Sequence, residues 1–249
     1  MNFPVVIRLG SFELPAHLLF ESLGYLVAYL LYRRQRQLTG DVVDAAVRRW
    51  LTAAALAGGL IGARLLHLLE DPSLALRSWV DPMFLASGKT IVGGLIGGLI
   101  AVELTKKRFG VTVATGDLLA VPLCAGIAIG RVGCFLSGLS DGTHGVETSM
   151  PWGVNFGDGL SRHPTQLYEV AFVLVLAGVL VARRRRLAAV TGDAFKLFMV
   201  GYLGFRFAVD FLKPGADVGW LGALQWACLA TLAYYVPHVR RLASEVSGG

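Results

Sequence analysis

Ionisable side chains interrupt the apolar segments of this chain at a few positions: Glu21, Arg64, Arg131, and the pair Arg206 and Asp210. Arginine carries a planar fork of N–H donors that meets phosphate or carboxylate oxygens two at a time. Asp210 follows Arg206 by four residues, so a helix sets the two on one face. Charges placed in hydrocarbon are rare and mark functional sites by default. The chemistry within reach of such a set is recognition of an anion in apolar surroundings, most naturally the phosphate of a phospholipid. A structural network, with Asp210 balancing Arg206 and Glu21 another arginine, is the alternative.

The elements that must hold these residues follow from the apolar pattern. The chain has 249 residues, 55% of them hydrophobic, and a mean hydropathy of +0.60. Residues 16–32, 50–69, 90–104, 117–139, 165–182, 194–212 and 219–236 are mostly apolar, several near the ~20 residues that cross a bilayer core. The expected fold is an all-α integral membrane protein of seven transmembrane helices, a single domain over 1–249, with external loops at 70–89 and 139–164. The second loop, rich in Gly, Ser, Thr and Asp and containing "PWGVNFGDG", predicts turns and irregular or short β structure. The N-terminus, "MNFPVVIRLGSFELP", lacks the basic start, continuous apolar core and small-residue cleavage site of a signal peptide, so the first helix is expected to remain.

The net charge of +6 is distributed as a topology signal rather than a nucleic-acid surface. Arg33, Arg34, Arg36, Arg48 and Arg49 follow the first helix, and Lys106, Lys107 and Arg108 the third. Arg183, Arg184, Arg185 and Arg186 follow the fifth, and Arg240 and Arg241 the seventh. The alternate loops carry only Arg8, Arg77, Lys89, Arg162 and Lys213. By the positive-inside rule the N-terminus is external and the C-terminus cytoplasmic.

On that topology Arg64, Arg131 and Arg206 each enter from the cytoplasmic side. At ~1.5 Å per residue they lie roughly 18–21 Å from the inner edge of a ~30 Å core. Glu21, entering from outside, lies near the same level. Each central arginine costs ~2.5–3.5 kcal/mol on insertion scales, so three of them require compensation by acids or by an anionic ligand.

Other features read as packing. Gly93 with Gly97, and Gly94 with Gly98, have the spacing that lets helices approach closely, and Gly58, Gly59, Gly62 and Ala63 offer a matching face. Cys124, Cys134 and Cys228 have no metal-ligand spacing and read as small buried hydrophobes. His17, His67 and His238 read as interfacial. No metal or soluble cofactor is implied, since the sequence has neither a ligand cluster nor a phosphate loop.

The chain resembles the prolipoprotein diacylglyceryl transferases, seven-helix bacterial inner-membrane enzymes. "GGLIGG" at 93–98, "GRVGCFLSG" at 130–138, "RHPTQLYE" at 162–169 and "GYLGFRFAVDFLKPG" at 201–215 carry the resemblance, and "GARLLHLLE" at 62–70 adds to it. It implies transfer of a diacylglyceryl group from phosphatidylglycerol to the lipobox cysteine thiol of a prolipoprotein signal peptide, with glycerol phosphate released. Arg131 matches the signature arginine that contacts the head group, and Arg206 a second essential arginine. Arg64, Gly93, Gly94, Cys134 and Asp210 are further candidates for binding substrate. The chain departs from the family pattern Gly-Arg-x-Gly-Asn-Phe-x-Asn-x-Glu at Cys134, Ser137 and Leu139. Val92 stands where the family has His, and Glu21 where it has a tyrosine. Glu21 and His163 are the candidates for a replacement base, His163 alternatively orienting its loop, and Asp141 is a candidate displaced acid. The same donor with a non-protein acceptor, or a non-catalytic phospholipid-binding protein, are the competing readings.

Overall fold

The computed structural model describes residues 3–9, 12–72, 76, 88–214 and 221–247. Among them seven long helices occur: α1 (Ala16–Thr39), α2 (Ala45–Glu70), α3 (Ile91–Arg108), α4 (Asp117–Ser137), α5 (Thr165–Ala182), α6 (Asp193–Asp210) and α7 (Ala223–Ser247). Each matches one expected apolar segment, and several run further into the basic flanks. Three, Ala45–Glu70, Asp117–Asp141 and Thr165–Ala182, are long and apolar enough to cross a membrane. The outward face of α1 and α2 is apolar, with Leu26 53%, Leu56 67% and Leu60 67% exposed. Exposed leucines of that kind on each helix suit hydrocarbon rather than water. The expected external loop 70–89 lies mostly outside the described residues.

The chain divides into two compact units: Met1–Gly40 with Gly116–Pro214 and His238–Gly249, and Asp41–Thr115 with Gly215–Pro237.

In the first unit α4 packs against α1, α5 and α6. Glycines set the α1–α4 approach. A Cβ on Gly24 would lie 2.8 Å from the Gly126 carbonyl oxygen, and one on Gly133 would lie 2.8 Å from Phe20 Cβ. At the other end Asp117 ties α4 to α6, its carboxylate accepting from the backbone N–H groups of Gly192 (2.6 Å) and Phe195 (3.0 Å). These donors belong to the first turn of α6, which has no helical partner for them. The N-terminal segment is a hairpin sequence reasoning did not anticipate: β1 (Val6–Leu9) pairs antiparallel with β2 (Phe12–Pro15). Val5 N–H donates to the Leu136 carbonyl at 2.8 Å and Ala16 N–H to the Val5 carbonyl at 3.1 Å, which anchors the start of α1 against the end of α4. Gly138, at φ 62°, closes α4, and a 3-10 turn over Gly138–Asp141 follows. The loop beyond it contains short strands, as expected: β3 (Val154–Asn155) pairs with β4 (Ser161–Arg162).

In the second unit α2 and α3 pack along their glycine faces. A Cβ on Gly97 would come within 2.2 Å of the Gly58 carbonyl oxygen, and one on Gly62 within 2.3 Å of that of Gly93. Both helices begin on side-chain caps: Asp44 accepts from Ala46 and Val47, and Thr90 from Gly93. Arg48, counted above among the topology charges, is buried and pairs with Asp41, Nε to Oδ2 at 2.9 Å.

Candidate active site

Two of the expected arginines meet on a carboxylate that the charge inventory above omits. Glu169, on α5, is 1% exposed. Its Oε2 lies 3.0 Å from Arg131 Nε on α4 and 2.9 Å from Arg206 Nη1 on α6. Its Oε1 accepts from the Tyr202 hydroxyl at 2.6 Å. Both guanidinium groups are themselves buried. A buried ion pair is tolerable only when its members are mutually satisfied, and here one acid serves two bases and a phenol. Asp210, expected to be the partner of Arg206, approaches it only at 3.8 Å from the more exposed edge. Glu21 is elsewhere occupied, so the expectation that it balances an arginine is corrected. Glu169 falls inside the segment 165–182. Its signal was the shortage of acids for the arginines of the apolar segments.

Donors remain in the cluster. Among the described residues Arg206 Nε has no hydrogen-bond partner, and Arg131 Nη1 makes a long hydrogen bond to Cys134 Sγ at 3.7 Å. Gln166, one turn before Glu169, is 1% exposed, and neither atom of its amide has a partner among the described residues. Unpaired buried polar groups are expensive, so their concentration around one cluster marks a place for a polar ligand. Beyond the end of α6, burial pushes the Lys213 amine down to about 7, with repulsion from Arg206 and Arg131 adding to it.

The frame of the cluster is aromatic. Phe172 and Phe205 stack at 4.4 Å between α5 and α6, and Phe198 stacks on Tyr202 at 5.7 Å. These contacts fix the rotamer of Tyr202 and with it the carboxylate that both arginines share.

A second group lies where α1 meets α4. The ligating atoms of His17, Cys134 and Asp141 are all within 4.8 Å of one another. His17 Nδ1 is 3.8 Å from Asp141 Oδ1, and Nε2 is 3.7 Å from Glu21 Oε2. The other oxygen of Glu21 accepts from the Tyr25 hydroxyl at 3.0 Å, and the other oxygen of Asp141 accepts from Thr143. Through Cys134 this group borders Arg131. His17 is therefore no isolated interfacial residue, and Cys134 is more than filling. Their separation in the chain hides them from any spacing rule.

The loop over this end is braced by its own side chains. The Thr165 hydroxyl donates to the Thr143 carbonyl at 2.6 Å. His163 Nδ1 lies 3.0 Å from the Tyr168 hydroxyl, which accepts from Trp152 Nε1 at 2.7 Å. Backbone bonds join His163 to Gly145 and Val146, and Val146 to Leu212. Burial and the nearby Arg162 guanidinium hold His144 below the usual histidine range.

The remaining candidates belong to the second unit. Arg64 Nη1 donates to the Gly88 carbonyl at 3.0 Å. Gly93 faces α2: a Cβ there would meet the Gly62 carbonyl oxygen at 2.3 Å, and one on Gly94 would be 3.5 Å from that of Gly59. The space beside Gly93 is filled by helix backbone, whereas a Cβ on Gly94 would make only ordinary contacts. Val92 is fully buried.

Comparison with known proteins bears on all of these residues together. The profile of the family described as prolipoprotein diacylglyceryl transferase matches residues 4–239. A phosphatidylglycerol–prolipoprotein diacylglyceryl transferase of Nitratidesulfovibrio vulgaris is 33% identical over 239 residues, covering 90% of this chain and 86% of the relative. One from Bordetella parapertussis is 32% identical over 230 residues, 88% of this chain and 86% of the relative. One from Geobacter sulfurreducens is 33% identical over 236 residues, 88% and 85%.

Proposed function

Because this chain belongs to the prolipoprotein diacylglyceryl transferase family, we propose that its Arg131–Glu169–Arg206 cluster holds the phosphate of phosphatidylglycerol while the diacylglyceryl group passes to a prolipoprotein thiol. The supporting observation is that two arginines from different helices converge on one buried acid, while Arg206 Nε and the weakly engaged Arg131 Nη1 remain to meet an anion. Glu169 and Tyr202 set the forks, and the phosphodiester takes the remaining N–H groups.

In the reaction the thiolate sulfur attacks the glycerol carbon that bears the phosphate. A C–S bond forms, the C–O bond breaks, and glycerol phosphate leaves with one more negative charge than it had as a diester. Preorganised guanidinium groups favour that charge as it grows. Asp210, at the edge of Arg206, steadies the fork, and Gln166 offers its amide to the hydroxyls of the head group. Of the two expected bases Glu21 is the better placed, bordering Cys134 through His17, whereas the His163 ring is engaged by Tyr168 and orients the loop.

All seven helices span the bacterial cytoplasmic membrane in this reading, with the N-terminus external, the C-terminus cytoplasmic and the site opening to the external side. The basic residues after α1, α3 and α5 and the apolar faces of α1 and α2 support that placement. The lipid enters from the outer leaflet, and the acceptor is the signal-peptide cysteine of a prolipoprotein. Purified protein incubated with labelled phosphatidylglycerol and a lipobox peptide is expected to give labelled peptide and glycerol phosphate together. Lipid that binds but is never turned over contradicts the assignment.

A further inference from the structure

Around the Cys134 thiol the fold gathers an imidazole and a carboxylate, three ligating atoms of three different kinds within 4.8 Å. A tetrahedral zinc ion holds its ligand atoms roughly 3.3–3.8 Å apart, given bond lengths of about 2.0–2.3 Å. A nitrogen and an oxygen on such an ion sit about 3.4 Å apart, so the His17 Nδ1 to Asp141 Oδ1 separation of 3.8 Å closes by a few tenths of an ångström on binding.

The surroundings match what metal ligands require. His17 Nδ1 is buried, faces Asp141 Oδ1, and has no hydrogen-bond partner among the described residues. Its other nitrogen faces Glu21, itself held by Tyr25. A carboxylate behind a ligating imidazole fixes the tautomer and ring orientation that coordination needs. Thr143 holds the second oxygen of Asp141, leaving the first toward His17.

We propose that His17, Cys134 and Asp141 bind one zinc ion whose fourth position takes the acceptor thiolate. Three protein ligands and an open fourth position are the arrangement of catalytic zinc sites. A thiol that coordinates zinc gives up its proton, here to water, so the metal supplies the thiolate. The bound sulfur then forms the C–S bond, and the electron pair of the broken C–O bond leaves with glycerol phosphate beside Arg131. The use of the metal rests on the transfer reaction proposed above; its binding does not.

The test is metal binding by the full-length protein in detergent, freed of purification tags and stripped with a chelator. Zinc is expected to return to one equivalent per chain by elemental analysis. Cobalt(II) in its place is expected to show thiolate charge-transfer absorption, lost in Cys134→Ser while Cys124 and Cys228 remain. Glu21→Gln is expected to weaken zinc binding about 10–100-fold. Cys134→Asn, which restores the family residue, serves if the serine variant does not fold. Failure to retain zinc, or a cobalt band that persists without Cys134, overturns the site. A lipobox peptide is expected to shift the cobalt spectrum, and an unchanged spectrum overturns the acceptor's place on the metal. A shifted spectrum with no lipid turnover leaves the metal site standing and removes the transferase reading.

Discussion

Glu169 Oε2 lies 2.9 Å from Arg206 Nη1, an ion pair between α5 and α6 with both side chains excluded from solvent. The same oxygen also meets Arg131, so one acid organises both forks. Replacing it with an isosteric amide leaves two buried cations without their shared counter-charge. Glu169→Gln is expected to destabilise the protein by about 3–5 kcal/mol and to abolish turnover. A thermal melt with and without phosphatidylglycerol checks this, since an anionic lipid restores part of the lost stability. Wild-type stability in the variant would place the acid outside the structural network.

Arg131→Lys and Arg206→Lys keep the charge and discard the planar fork. Each is expected to lower lipid turnover about 100–1,000-fold, the size of effect seen when one preorganised donor is removed from a charge-stabilising site. Glycerol phosphate release is the measurement. Near-normal release in either lysine variant shows that point charge alone suffices.

Lys213 gives the site a pH dependence. Its amine sits at about 7 in the fold, lowered by burial and by Arg206 and Arg131 against the opposing pull of Glu169 and Asp210. A bound phosphate favours the ammonium form, so lipid affinity is highest below about pH 7 and falls as the pH rises through it. The effect on stability has the opposite sign. Between about 7 and the unfolded value near 10.4 the unfolded chain holds the extra proton, so stability rises with pH across that window. Lys213→Met is expected to flatten both profiles, read by lipid binding and melting temperature from pH 6 to about 10. An unchanged binding profile removes Lys213 from the phosphate site.

Gln166 separates binding from folding. Its buried amide has no partner among the described residues, so Gln166→Leu removes an unsatisfied group rather than a bond. Stability is expected to hold or rise while lipid affinity falls. A variant that binds phosphatidylglycerol as well as wild type assigns the amide no part in head-group contact.

Gly133 tests the frame. A Cβ there would lie 2.8 Å from Phe20 Cβ and 3.2 Å from the His17 carbonyl oxygen. Gly133→Ala is expected to push α1 off α4 and to cost about 1–3 kcal/mol, the range for overpacking a filled interior. The melting temperature reads the cost, and an unchanged value means the helices yield freely.

The seven helices were legible in the sequence because the length and apolar composition of a run are local properties. Arg131 and Arg206 were legible as well, because a charge in an apolar run stands out wherever it is folded. Their partner was not. Glu169 sits in a run whose sequence does not say which helix it faces. Asp210 satisfied the helical spacing rule with Arg206, and Glu21 lay near the expected depth, without either being the acid that both arginines meet. Only packing decides which side chains share a buried volume. The small residues at Gly24, Gly126 and Gly133 bring α1 against α4 and so place His17 beside Cys134. Gly138, in the left-handed region, ends α4 and starts the turn that leads to Asp141. The sequence by itself determined what kinds of groups the apolar segments hold. The tertiary structure decided which of them meet, because contact between helices depends on surface shape and not on distance along the chain.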